Sequence, residues 1–202
     1  MNASFDPDRL KRALEALPPR HRVAFAAACC ERLLPNYAAF ARIARWGDPR
    51  VLREALDFIW GEIAKPRSDR RKVRQMIARC EELVPDTESF SAEYTSAALD
   101  ASTAILETLD ALLDASPQRV VDVASACRDT VDMFVHERDD LDSNTDPDFE
   151  AKIAGDPLMV TELARQAAVL RQLQEAAELD RALLDRLREE AHNGGVSNIG
   201  LR

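Results

Sequence analysis

The apolar residues of this chain recur at intervals of three and four, and no stretch sustains the two-residue alternation of a half-buried strand. Proline cuts this helical pattern into lengths. Pro7, Pro49, Pro117 and Pro157 each follow Asp or Ser, the arrangement of an N-cap with proline at the first helical position, where its missing N–H is not needed. Pro18-Pro19, Pro66 and Pro85 punctuate the runs between them. Six glycines in 202 residues are too few for a turn-rich β fold or a glycine-rich phosphate loop. The fold expected is all-α, a compact bundle of about seven to nine helices over residues 1–192 with a tail at 193–202.

Three stretches carry particular expectations. The second helix runs from about Pro19 to Leu34, and its alanines and cysteines are small enough for a close neighbour. Pro35 is expected to break or kink it, with Asn36 capping a short helix that carries Tyr37, Phe40, Ile43 and Trp46. The last and longest helix opens at Asp156-Pro157 and runs to about His192, with Leu163, Leu170, Ala177, Leu184 and Ala191 at seven-residue intervals. Such a stripe serves a partner helix as readily as its own core, and it predicts a homodimer.

No run of about 18 apolar residues is present, so no membrane span is expected. The start, Met1 to Pro7, lacks a basic segment followed by an apolar core, so no secretory signal is expected. Cys29, Cys30, Cys80 and Cys127 form no CxxC and read as reduced, buried thiols in a cytoplasmic protein. Charge is divided along the chain: residues 1–79 carry 17 Lys/Arg against 9 Asp/Glu, and residues 80–202 carry 10 against 27. The basic stretch Lys65, Arg67, Arg70, Arg71, Lys72, Arg74 and Arg79 has no interleaved aromatic residue, and the net charge of −9 argues against nucleic acid. Docking on the acidic second half, or on an acidic partner, accounts for it better. The acidic half, with Asp139, Asp140 and Asp142, offers a surface to a basic partner in turn.

The familiar catalytic motifs are missing: no G-x-S-x-G, P-loop, H-E-x-x-H or G-x-G-x-x-G occurs. No cofactor is implied. Asp129, Asp132 and His136 share one helix face, and carboxylates with imidazole are how bundles hold metals. They lie opposite the apolar stripe, where a solvated face accounts for them without a ligand. Cys30-Glu31-Arg32-Leu33-Leu34-Pro35-Asn36-Tyr37 places a charged pair, a proline, a cap residue and a phenol together. One reading is a helix–helix corner in which Arg32 and Tyr37 tie loop carbonyls. The other is a ligand pocket at the helix break, where unpaired backbone groups face a ligand.

His21-x-Val23-x-Phe25, Cys29-Cys30-Glu31-Arg32-x-x-Pro35-Asn36-Tyr37-x-x-Phe40, Gly47-Asp48, Leu56-Asp57-x-Ile59-Trp60 and Ser197-Asn198-Ile199-Gly200 together resemble the YjaG-like family of bacterial proteins of unknown function. The resemblance spans nearly the whole chain. It implies a compact, all-helical, cytoplasmic bacterial protein and implies no activity. It turns attention to Glu31, Arg32, Asn36, Tyr37, Asp57, Trp60, Ser197 and Asn198, polar groups that either lock a fold or bind something. The leading expectation is a non-enzymatic helical interaction or regulatory protein, a homodimer. The alternatives are a small-ligand binder or enzyme at the Pro35 break, and a metal enzyme using Asp129, Asp132 and His136.

Overall fold

The computed structural model describes residues 5–202, which form nine α-helices and a closing 3₁₀ turn. The helices are α1 (Pro7–Glu15), α2 (Pro19–Ala44), α3 (Pro49–Ile63), α4 (Arg70–Glu81), α5 (Thr95–Ala111), α6 (Pro117–Arg138), α7 (Phe149–Gly155), α8 (Pro157–Glu175) and α9 (Arg181–His192). The all-α expectation holds, and no strand occurs among the described residues. The Asp-Pro starts act as the sequence indicates. Asp6, Asp48 and Asp156 each accept a backbone N–H two or three residues on, and Asp69 and Asp180 cap α4 and α9 in the same way.

The organising element is α2. Every residue from Val23 to Leu34 is buried, and the helix touches α3, α5, α6, α8 and α9. A helix covered on every side has no face to give to water and sits inside its neighbours. Ala24, Ala26, Ala27 and Ala28 let those neighbours approach closely. Arg22 ties α2 to the loops around it, donating to the carbonyls of Leu14, Glu15, Leu17 and Ala115 at 2.8–3.0 Å. The last carbonyls of α1 have no partners within their own helix, so a folded-back guanidinium supplies them.

Two boundaries differ from the expectation. Pro35 does not end α2: the helix runs on to Ala44, with Pro35 inside it. Proline in a helix interior costs about 3 kcal/mol, and here tertiary packing offsets it. Beyond Pro35, Tyr37, Phe40, Trp46 and Phe90 form an edge-to-face cluster, with the Phe40 and Phe90 centroids 5.4 Å apart. Asn36 therefore caps nothing and lies fully buried in mid-helix.

The second difference is at the other end of the chain. The single helix expected from 157 to 192 is two helices, α8 and α9, separated at 176–180. Ala176 turns extended, Asp180 caps α9 through Leu183 N at 2.7 Å, and His21 Nε2 lies 3.1 Å from the Ala176 carbonyl oxygen. The inner face of α8 is Met159, Glu162, Gln166, Val169 and Leu173, so Leu163 and Leu170 are only half-buried. In α9, Leu184 and Ala191 face this chain's own core together with Leu183 and Leu187. The seven-residue stripe is thus interrupted at the exposed Ala177 and largely spent inside the molecule.

The tail 196–202 folds back over the bundle. Ser197, Asn198 and Ile199 are buried, and Ile199 joins a second apolar cluster with Val131, Val135, Ile153 and Met159. No helix among the described residues is long and apolar enough to cross a membrane.

Candidate functional site

Successive residues of a helix point about 100° apart, so the polar residues of mid-α2 face different neighbours. Glu31 faces α3 and α9. Its carboxylate accepts from Arg53 at 2.6 and 2.8 Å and from Trp60 Nε1 at 2.8 Å, and Arg188 Nε lies 3.5 Å away. Arg53 also donates to Asp57 at 2.8 Å, and Arg188 pairs with the same carboxylate. Glu31, Asp57 and Trp60 therefore do converge, around two arginines that the sequence reading did not single out.

Arg32, a hundred degrees or so round the helix, faces α8. Its Nε and Nη2 each lie 2.7 Å from the Glu162 carboxylate of α8, and Nη1 donates to the Ala28 carbonyl at 2.8 Å. Gln166 completes the cage by donating to Glu162 at 2.9 Å and to the Ala124 carbonyl at 3.1 Å. Both charges of the pair are 1% exposed. Burial pulls the guanidinium toward losing its proton, but Glu162 and the nearby Cys29 more than reverse this, and Arg32 stays charged well above its ordinary range. Arg32 Nη2 also lies 3.6 Å from Cys29 Sγ.

Asn36 and Asn198 join α2 to the tail. Asn36 Nδ2 donates to Asn198 Oδ1 at 2.9 Å, and Asn198 Nδ2 donates to the Cys127 carbonyl at 2.9 Å. Pro35 has no N–H to give the Glu31 carbonyl, and the next carbonyl, that of Arg32, accepts from Asn198 N at 3.0 Å. Ser197 Oγ accepts from Ile199 N and Leu201 N, closing the turn that delivers Asn198. Tyr37 Oη donates to the Leu83 carbonyl at 2.9 Å, and burial pushes the phenol up to about 12. The ring stands against Gly47, whose φ of +78° and lack of a Cβ make room for the hydroxyl.

These residues meet one another and the backbone, and they do not frame an opening. Glu31, Arg32, Asn36, Tyr37, Trp60, Ser197 and Asn198 are each at most 5% exposed. The helix break on which the alternative of a pocket at Pro35 rested is absent, since α2 continues through Pro35. Tyr37 does tie a loop carbonyl, as the corner reading expected, whereas Arg32 ties a carboxylate and a carbonyl of its own helix.

Asp129, Asp132 and His136 have neighbours of their own. Asp129 and Asp132 both pair with Arg128, at 2.8 and 2.6 Å, and His136 stacks edge-on against Phe149. No group of three or more His, Cys, Asp or Glu among the described residues is placed to hold a metal ion. Burial raises the Asp132 carboxyl, opposed by Arg128.

The charged surfaces are the other candidates. Lys65, Lys72 and Arg79 pair with Glu62, Asp69 and Glu54, all within the first half of the chain. Arg70 reaches only the Leu113 carbonyl, at 3.3 Å. Arg67, Arg71 and Arg74 are exposed and make no ion pair among the described residues. The basic stretch thus finds no acidic side chain in the second half. Conversely, Asp140, Asp142, Asp148 and Glu150 are exposed around the α6–α7 connection with no basic partner there.

Comparison with known proteins places this arrangement among others. A family model described as protein of unknown function (DUF416) matches residues 9–202. The uncharacterised protein YjaG of Escherichia coli K12 is 28% identical over 189 residues, which cover 93% of each chain. An uncharacterised protein of Haemophilus influenzae is 26% identical over 195 residues, covering 95% of this chain and 96% of its own. The crystal structure of a DUF416 family protein from Shewanella baltica OS155 superposes with a TM-score of 0.86 at 28% identity, over 95% of this chain and 97% of that one.

Proposed function

Since the chain belongs to the DUF416 family of proteins of unknown function, its role has to be argued from its own surface, and we propose that it is a non-catalytic helical interaction protein of the bacterial cytoplasm that pairs with a second copy of itself. One observation carries this reading: Arg67, Arg71 and Arg74 on one side and Asp140, Asp142, Asp148 and Glu150 on the other are exposed and make no ion pair among the described residues. A two-fold pair brings the basic face of each copy to the acidic face of the other and makes the contact twice. Complementary potentials of this kind steer association and select partners. The four buried, unpaired thiols suit a reducing compartment.

Sedimentation at micromolar concentration tests it. The protein should be dimeric at low salt and shift toward monomer at about 0.5 M salt, where the screening length falls to roughly 4 Å. Replacing Arg67, Arg71 and Arg74 together by Glu should give a monomer at both salts. A wild-type monomer at low salt overturns the pairing.

A further inference from the structure

Carboxylates withdrawn from water in this chain come with a cation. Glu31 has Arg53, Glu62 has Lys65, Asp156 has Arg138 and Glu162 has Arg32. The half-buried Glu107, Asp132 and Asp146 follow suit with Arg119, Arg128 and Lys152. Among the described residues, Asp100 of α5 is the one buried or half-buried carboxylate with no basic side chain in ion-pair range. Its Oδ2 accepts from the Thr130 hydroxyl of α6 at 2.7 Å, and among the described residues no hydrogen bond to Oδ1 is present. Burial pushes its carboxyl above the usual range, against the Thr130 hydrogen bond.

Asp100 opens on a cleft of about 260 Å³ between the start of α5, the end of α6 and the 87–94 segment. The cleft has Phe90, Tyr94 and Phe134 rings in its lining together with Met133, which is 45% exposed. Glu93 and Glu137 are the other acids that line it, and both are exposed. A half-buried carboxylate with no counter-ion of its own, set in the wall of a cleft, favours a positive occupant there. Aromatic faces and a methionine add attraction for a cation and for methylenes. The volume lies below the roughly 300–1,000 Å³ of ordinary small-molecule pockets, which selects a thin, unbranched chain.

We propose that this cleft binds a short linear diamine or polyamine, with one ammonium on Asp100 Oδ1, the methylenes along the rings and Met133, and a second ammonium toward Glu93 or Glu137. The site is separate from the charged faces of the pairing reading and does not depend on it. No three-ligand cluster is present in the described residues, so a bare metal ion is a poor match for it.

Calorimetric titration of the full chain with putrescine and spermidine tests this, beside magnesium at matched ionic strength and a lysine-containing peptide. Saturable one-to-one binding of spermidine should appear, with a raised thermal midpoint. Asp100→Asn should weaken it at least tenfold while leaving the unliganded midpoint equal to or above wild type. Met133→Lys, which places a tethered ammonium at the cleft, should abolish binding and raise the midpoint. It serves as the independent variant if Asp100→Asn fails to fold. No saturable heat at millimolar spermidine, an equal response to magnesium, unchanged affinity in either folded variant, or tighter binding of the lysine peptide than of the free amines would each overturn the proposal.

Discussion

Arg32 and Glu162 stand 130 positions apart in sequence and meet with both charges fully out of water. Such a pair contributes little net stability against a well-packed apolar pair, but losing one partner strands the other. Arg32→Met should therefore cost about 3–5 kcal/mol, because Gln166 alone remains to satisfy Glu162. Arg32→Met combined with Glu162→Leu should recover most of that loss. Denaturant unfolding of both variants is the check, and a double variant as unstable as the single one would mean that the pair does more than neutralise itself. The sequence marks Glu31, Arg32 and Asn36 as unusual because they interrupt a run of small apolar residues. It gives no comparable sign for Arg53, Arg188 or Glu162. These are charges on ordinary amphipathic helices, and only the rotation of each packed helix decides which of them turns inward.

Helices and their ends follow a similar division. Where a boundary is local chemistry, as at Asp6-Pro7, Asp48-Pro49 and Asp156-Pro157, the sequence predicts it correctly. Where tertiary packing overrides local preference, it does not: aromatic contacts carry α2 through Pro35, and neither glycine nor proline marks the turn after α8. The buried face of α8 carries Glu162 and Gln166, so a search for leucines at seven-residue spacing finds a face about one position off. The tail gives a prediction of its own. Ending the chain after Gly195 removes Asn198 and Ile199, which leaves Asn36 Nδ2 without its partner in the interior and uncovers the apolar cluster that Ile199 joins. A stranded buried donor costs about 1–3 kcal/mol, so thermal unfolding should show a fall in midpoint. Asn198→Ala should reproduce much of it, and a truncated chain as stable as the full one would show the tail to be ornamental.

The molecule is built around one early helix that late segments complete. α2 ends at Ala44, yet it is enclosed by α5, α6, α8, α9 and finally Asn198, whose bond to Asn36 spans 162 positions. A chain is made from its N-terminus at about 5–20 residues per second, so roughly ten to thirty seconds separate the synthesis of Asn36 from that of Asn198. Through that interval the helix that the finished protein buries most deeply has been made but not fully covered. Ribosome-bound chains arrested before α8 should be cleaved readily within residues 19–44 by a protease that spares the finished protein. Equal resistance would show that α2 is already sheltered by the earlier helices. A chain whose centre is translated first and closed last carries its exposure to proteases and to aggregation in the order of its segments, set by where the core lies in the message as much as by how stable the finished fold is.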